Sequence, residues 1–198
     1  MRGRFMIYLF IDTASNNLII SIVKNMEMIY CFNELNDTTL SSKIMPIIDE
    51  AFKKTNLKIN DIDKIFIVNG PGSFTGIRVG VTIAKVIGWS LNIPLIVLSE
   101  LELLATIASN TKYNVPIIDA RRGYVYAGIY DQHLNSYLEE QHILLKELKL
   151  PDDYTLISSG DINIIKIIKK HENDLAINPH ELKPNYLKKT EAEEHLND

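Results

Sequence analysis

Three short apolar runs open the chain, at Phe5–Ile11, Leu18–Lys24 and Glu27–Asn33. Each has strand length, is rich in strand formers such as Ile, Tyr and Phe, and is bounded by polar or turn residues, so the pattern predicts three strands in hairpin connection. From Leu40 to Thr55 the period changes. Ile44, Ile47, Ile48 and Ala51 recur at helical spacing, Met45 and Phe52 widen the apolar face, and Pro46 lies early enough to be tolerated. Ile65-Phe-Ile-Val68 is a fourth strand, Gly70-Pro-Gly72 a turn, and a helix runs on to Leu91. Leu95–Leu98 is a fifth strand, and Ser99 caps a helix that reaches about Ser109. Near residue 110 the pattern restarts. Strands at Val115–Asp119, Tyr124–Tyr130, Tyr137–Leu145 and Thr155–Ser158 precede a helix over Ile162–Lys170 and a polar tail after Pro179.

The restart defines the expected architecture. Both halves open with a strand ending in an aspartate, then a turn, then a strand pair. That is an α/β plan duplicated into two lobes, 1–109 and 110–198, each a mixed sheet with helices. Sugar kinases, actin and the heat-shock ATPases share this plan, and their aspartate turns hold metal and phosphate. Asp12 and Asp119, with Asp161 as a third, are the corresponding candidates here. A phosphate turn wants a glycine soon after the aspartate. Asp12 is followed by Thr-Ala-Ser-Asn-Asn, and Asp119 by Ala-Arg-Arg before Gly123, so both are weak cofactor-binding candidates. A small-molecule kinase or ATPase using Asp12 and Asp119 stays open as the enzyme alternative, beside turn and capping roles for both.

The stretch Gly70-Pro-Gly-Ser-Phe-Thr-Gly-Ile-Arg-Val-Gly80 is a strand–turn–helix junction whose free N–H groups suit an anion. It fits neither the phosphate loop, for want of Gly-Lys-Ser/Thr, nor the dinucleotide fingerprint, since Thr75 stands where the third glycine belongs. In the helix that follows, Gly76, Gly80, Ala84 and Gly88 recur every four residues. Glycine inside a helix costs about 1 kcal/mol relative to alanine, so the stripe implies close approach of another backbone. The other faces are apolar except at Arg78, Thr82, Lys85 and Ser90, which predicts burial on more than one side. The second neighbour is either another helix of this chain or a partner chain.

Composition narrows the chemistry. The 198 residues are 46% hydrophobic, enough for one large domain or two small lobes, and a formal net charge of -4 signals no broad basic surface for nucleic acid. The single cysteine, Cys31, excludes an internal disulfide and fits a reducing compartment. No run is expected to be long enough to cross a membrane, and Met1–Arg4 with Phe5–Ile11 makes a poor signal peptide, so a cytoplasmic protein is expected. His133, His142, His171, His180 and His195 offer no metal pair at helical spacing, and no Gly-x-Ser-x-Gly nucleophile motif is present.

Leu9-Phe-Ile-Asp-Thr-Ala14, the glycine junction 70–80 and Ile118-Asp-Ala-Arg-Arg-Gly-Tyr-Val-Tyr126 resemble the bacterial TsaB family, also called YeaZ, over roughly the first 130 residues. Pro184-Asn-Tyr-Leu-Lys188 is similar to that family's closing segment, while the metal-binding His-x-x-x-His of the paralogue TsaD is missing. The resemblance implies an actin-like (ASKHA) fold in a non-catalytic subunit. TsaB proteins pair with TsaD, and the small ATPase TsaE joins them. Together they transfer a threonylcarbamoyl group to the adenine beside the anticodon of certain tRNAs. ATP and metal are then expected on the partner subunits, with no cofactor in the isolated chain, tRNA contacted through the complex, and a homodimer when the chain is alone. The implied partner surface is the first-lobe helix pair, at Ile44, Ile47, Ile48, Gly76, Arg78, Gly80, Thr82, Ala84, Lys85 and Gly88. This chain departs from the family at Leu40-Ser41, where a histidine-serine pair is usual, and its second lobe is short and matches poorly over 131–180.

Overall fold

The computed structural model describes residues 5–36 and 39–187; Met1–Arg4, His195 and Lys188, which entered the sequence reading, lie outside them. Internal packing divides the chain into two units, Met1–Glu100 with Ile164–Pro184, and Leu101–Asn163 with Asn185–Asp198. A single cut between 109 and 110 was expected. The chain instead leaves the first unit at Glu100 and returns to it at Ile164.

The first unit is built on a five-stranded sheet of β1 (Ile7–Asp12), β2 (Asn17–Lys24), β3 (Glu27–Leu35), β4 (Lys64–Val68) and β5 (Leu95–Leu98), in the order β3-β2-β1-β4-β5. β1 pairs antiparallel with β2 and β2 with β3, whereas β1, β4 and β5 run parallel. Every residue of β1 is buried, as a central strand covered on both faces requires, while β3 at the edge is mostly exposed. The β2–β3 turn holds Asn25 and Met26 both at positive φ (50° and 62°), which matches the right-handed twist of a tight hairpin. Helix α1 (Leu40–Thr55) lies against β2 and β3, helix α2 (Phe74–Leu91) lies against β4, β1 and β5, and the two helices touch. Both end on an asparagine in the left-handed conformation, Asn56 and Asn92, in the place where glycine is commonest. α2 begins at Phe74 because Ser73 caps it, its hydroxyl accepting from the Gly76 N–H at 3.2 Å.

By length and composition α2 would pass as a membrane span, which the sequence reading did not expect. Seven of its residues, from Gly76 to Gly88, are buried in the unit, as in the core helix of a folded domain. A fourth helix, α4 (Ile164–His171; α3 is given below), buries Ile164, Ile167 and Ile168. The chain after it forms a strap on the first unit. Ile177 donates its N–H to the Leu95 carbonyl at 3.0 Å in a short antiparallel bridge, Lys64 Nζ reaches the Glu172 carbonyl, and Asn69 Nδ2 donates to Lys183 O at 3.0 Å. Leu182 is buried beneath it.

The second unit repeats the strand plan. β6 (Tyr113–Asp119), β7 (Tyr124–Asp131), β8 (Ser136–Leu144) and β9 (Tyr154–Ile157) stand in the order β8-β7-β6-β9, with β6–β7 and β7–β8 antiparallel and β6–β9 parallel. This is the order of β3-β2-β1-β4, so the duplication read from the sequence holds at the level of topology. Val115, Val125, Ala127, Ile129 and Leu148 form one core cluster, and Leu101, Ala105, Tyr130 and Leu134 another.

Helix α3 (Glu100–Leu104) is shorter than the stretch to Ser109 that was expected. The buried Asn114 amide explains the stop. It donates to the carbonyls of Ala105 at 2.8 Å and Ile107 at 3.0 Å, which a continuing helix would use internally. Asn114→Ala leaves both carbonyls without that donor and opens a small void. It is expected to lower unfolding free energy by about 2–4 kcal/mol, read as a lower urea midpoint at unchanged m-value.

Candidate functional site

The glycine junction and the loop after β1 are built as one piece. Asp12 ends β1 fully buried. Its Oδ1 accepts from the N–H groups of Ala14 at 2.7 Å and Ser15 at 3.3 Å, which folds residues 12–15 into a tight loop. The Ala14 carbonyl accepts from the Ser73 N–H at 2.8 Å, and Thr13 Oγ1 donates to the Gly76 carbonyl at 2.7 Å. On the far side of the turn the Glu100 N–H donates to the Gly70 carbonyl at 2.9 Å. The peptide bond between Gly70 and Pro71 is cis. Residues 70–73 are thus held from both sides by backbone hydrogen bonds.

This packing decides what the glycines are for. A Cβ at Gly72 would stand 2.2 Å from the Ala14 carbonyl oxygen, one at Gly76 1.9 Å from the Thr13 carbonyl oxygen, and one at Gly80 2.2 Å from Thr13 Oγ1. At Gly88 it would meet Leu95 Cδ2 at 2.6 Å. The close neighbour that the small-residue stripe demands is therefore the chain's own sheet and the 12–15 loop. A partner surface was expected at ten residues, and seven of them are interior to the first unit: Ile44, Ile47, Ile48, Gly76, Gly80, Ala84 and Gly88. Of the other three, Arg78 and Thr82 are exposed, and Lys85 is half-buried with Nζ on the Leu182 carbonyl at 3.2 Å.

The junction does not make an anion cradle either. The Ser73 and Gly76 N–H groups are already bonded, and the glycines admit backbone rather than phosphate. Nor do the residues present fit the metal or nucleotide that related two-lobed folds hold. Asp12 is sealed, its Oδ1 serves the loop, and burial pushes its carboxyl up to about 6 against two N–H bonds that favour the anion. Asp119 is exposed in the second unit, where Oδ1 accepts from the Arg121 N–H at 2.9 Å in a β6–β7 turn with Arg121, Arg122 and Gly123 all at positive φ. It is a turn residue with an exposed Arg121 partner at 3.8 Å. Asp161 is exposed in a loop. Among the described residues no group of three or more His, Cys, Asp or Glu side chains could hold a metal ion.

Opposite the glycine stripe, the outer face of α2 tells a different story. Phe74, Arg78, Thr82 and Val86 recur every four residues, two positions out of phase with the glycines and so about half a helical turn away. Phe74, Val86 and Trp89 are 57%, 58% and 64% exposed. Met45 of α1 is exposed too, and Arg78 lies over the Phe74 ring at 5.3 Å. A groove of about 500 Å³ is lined by Ser41, Phe74, Thr75, Arg78, Val79, Thr82 and Ile83. The sequence places a second neighbour on this helix, either another helix of this chain or a partner chain, without saying which face meets it. The four-residue spacing of Phe74, Arg78, Thr82 and Val86 was the signal that two opposite stripes face different neighbours.

A family model described as TsaD, tRNA N6-adenosine threonylcarbamoyltransferase, matches residues 34–176. The tRNA threonylcarbamoyladenosine biosynthesis protein TsaB of Bacillus subtilis is 35% identical over 170 residues, which cover 81% of this chain and 74% of that protein. The chain belongs to the TsaB family. A second TsaB, from Buchnera aphidicola subsp. Schizaphis graminum, is 31% identical over 152 residues, 74% of this chain and 71% of its own length. The solved structure of YeaZ from Pseudomonas aeruginosa superposes with a TM-score of 0.80 at 17% identity, covering 92% of this chain and 100% of that one. That match carries the fold, the actin-like two-lobed α/β plan expected from the duplicated strand pattern. Within a TsaB-family chain, then, the glycine junction is a packing device, and the outer face of α2 keeps Phe74, Val86 and Trp89 exposed, with the His180 ring edge-on to Trp89 at 5.9 Å.

Gly76→Ala separates these two surfaces. Its methyl group has no room against the Thr13 carbonyl, so despite better helix propensity it is expected to destabilise by about 1–3 kcal/mol. Thr82→Ala on the exposed stripe should stay within about 0.5 kcal/mol of wild type. Thermal melts of the two variants check both.

Proposed function

We propose that the chain is a non-catalytic scaffold subunit for threonylcarbamoyl transfer to the adenine beside the anticodon of tRNA. It binds a TsaD-like subunit, a TsaE-like ATPase joins that pair, and ATP and metal are used on the partners. The observation that carries this reading is the exposed apolar stripe Phe74, Val86 and Trp89 on α2. Exposed aromatic and apolar side chains on one helix, with Phe74 and Arg78 lining a groove there, are the composition of a protein–protein hot spot. The sealed Asp12 and the turn-bound Asp119 supply no reactive pair, which supports a supporting role rather than kinase chemistry. Family membership supplies the process, since the curated relatives are named for threonylcarbamoyladenosine biosynthesis. Alone, the chain pairs with a second copy through the same stripe, so the partner surface of Arg78 and Thr82 extends to Phe74, Val86 and Trp89 rather than to the glycines.

Cells depleted of the protein should lose threonylcarbamoyladenosine from digested tRNA, measured by mass spectrometry of nucleosides. The wild-type chain and Asp12→Asn are expected to restore it. Phe74→Asp and Trp89→Asp are expected to weaken binding to the TsaD-like subunit by at least about tenfold each, roughly 1.4 kcal/mol or more, to leave the far-ultraviolet circular dichroism of the isolated chain unchanged while removing its self-association, and to restore the nucleoside poorly. Full restoration by both aspartate variants would remove the α2 face from the reading, and an unchanged nucleoside level on depletion would remove the tRNA role itself.

A further inference from the structure

Two carboxylates lie in the interior of the first unit with no cation beside either among the described residues. Asp12 stands at the C-terminal end of β1 and Glu100 two residues beyond β5, so both occupy the same end of a parallel set of strands. The 70–73 turn ties them together: Ser73 bonds the loop that Asp12 organises, and the Glu100 N–H bonds Gly70. Both side chains are buried, Asp12 completely. Each has one oxygen without a hydrogen-bond partner, Asp12 Oδ2 and Glu100 Oε2. Ser15 and the Ala14 and Ser15 N–H groups are the hydrogen-bonding groups that face Asp12, and the charge that acts on Glu100 is that of Asp12. The cations of the neighbouring helix point elsewhere, Arg78 over the Phe74 ring and Lys85 to the Leu182 carbonyl.

We propose that Asp12 and Glu100 share one proton at neutral pH, Glu100 as the acid and Asp12 as the carboxylate it donates to. Two ionised carboxylates in a dry site repel and are each starved of solvation. One proton removes a charge and gives both orphaned oxygens a role in a charge-assisted O–H···O bond. The assignment within the pair follows from the hydrogen bonds. Asp12 receives two N–H donors that favour its anion, whereas burial and the Asp12 charge hold Glu100 well above the usual carboxylate range. The shared proton locks the underside of the turn from which α2 starts. This proposal is independent of what binds the outer face of α2.

The pH dependence has a definite sign. Both carboxyl groups titrate higher in the folded chain than in the unfolded one, so the folded chain binds more protons. The contribution of the pair is present at low pH and is lost as pH rises through about 6, where Asp12 titrates, and further as Glu100 does. Thermal melts of the full chain at pH 5.5 and pH 8.5, ionic strength held constant, test it. Glu100→Gln keeps the shape and a donor for Asp12 without a titratable proton. It should melt at least about 4 °C above wild type at pH 8.5, with the gap narrowing at pH 5.5. A Glu100→Gln variant that melts below wild type by the same margin at both pH values overturns the proposal. The second readout needs no mutant. Infrared spectra of the chain carrying carboxyl-labelled glutamate should show a protonated-carboxyl C=O band at pH 7, and its absence overturns the proposal even if Glu100→Gln does not fold. Potassium or magnesium chloride raising the wild-type melting temperature at pH 8.5 over tetramethylammonium chloride also overturns it, since the pair would then hold a cation.

Discussion

The fold turns on how closely one helix can approach one loop. Thr13 and Ala14 press their carbonyls to where the Cβ atoms of Gly76 and Gly72 would be, and Thr13 Oγ1 donates to the Gly76 carbonyl. Contact at that range is backbone against backbone, and no side chain larger than hydrogen fits between. Much follows from it. α2 is drawn onto β1 and β4, its glycine stripe is spent inside the unit, and the opposite stripe is turned outward. The same contact closes the loop over Asp12 and removes that carboxylate from solvent. A junction with the outline of a phosphate cradle is in this way filled by its own chain.

The sequence carried the architecture well and the orientation of surfaces poorly. Periodicity located all nine strands of the described residues to within a few positions, and the restart near 110 exposed the duplication that both sheets show in their strand order. The residues 70–80 were legible as a turn leading into a capped helix, and Ser73 caps it. Spacing alone could not say what a small-residue stripe packs on, because a sheet and a partner helix make the same demand for absent Cβ atoms. Ile44, Ile47 and Ile48 were misplaced for a related reason: helical periodicity reports an apolar face, not whose core it enters. Glu100 was missed altogether. A glutamate in the first turn of a short helix reads as a routine partner of the helix dipole, and only the tertiary fold brings it into the field of Asp12. The second boundary was illegible too, since α4 has the pattern of any amphipathic helix and nothing local ties it to a sheet more than sixty residues earlier in the chain.

The two aspartate turns show how one motif diverges under different burial. Both use the carboxylate to accept backbone N–H groups just downstream, at Ala14 and Ser15 in one case and Arg121 in the other. In the second unit water completes the solvation, and the side chain is an ordinary hairpin feature. In the first, the second oxygen is buried and has no hydrogen-bond partner. Local chemistry is the same; what differs is the dielectric around it.

The strap formed by residues 172–184 has a consequence for the order of events during synthesis. The edge of β5 is covered by Ile177, and Lys64, Asn69 and Lys85 find carbonyl partners at Glu172, Lys183 and Leu182. A nascent chain of one hundred residues already contains five strands and two helices of the first unit, yet it lacks the piece that finishes its sheet. That piece follows residues 101–163, the larger part of the second unit, in the chain. The half begun first is therefore finished only after most of the other has been made.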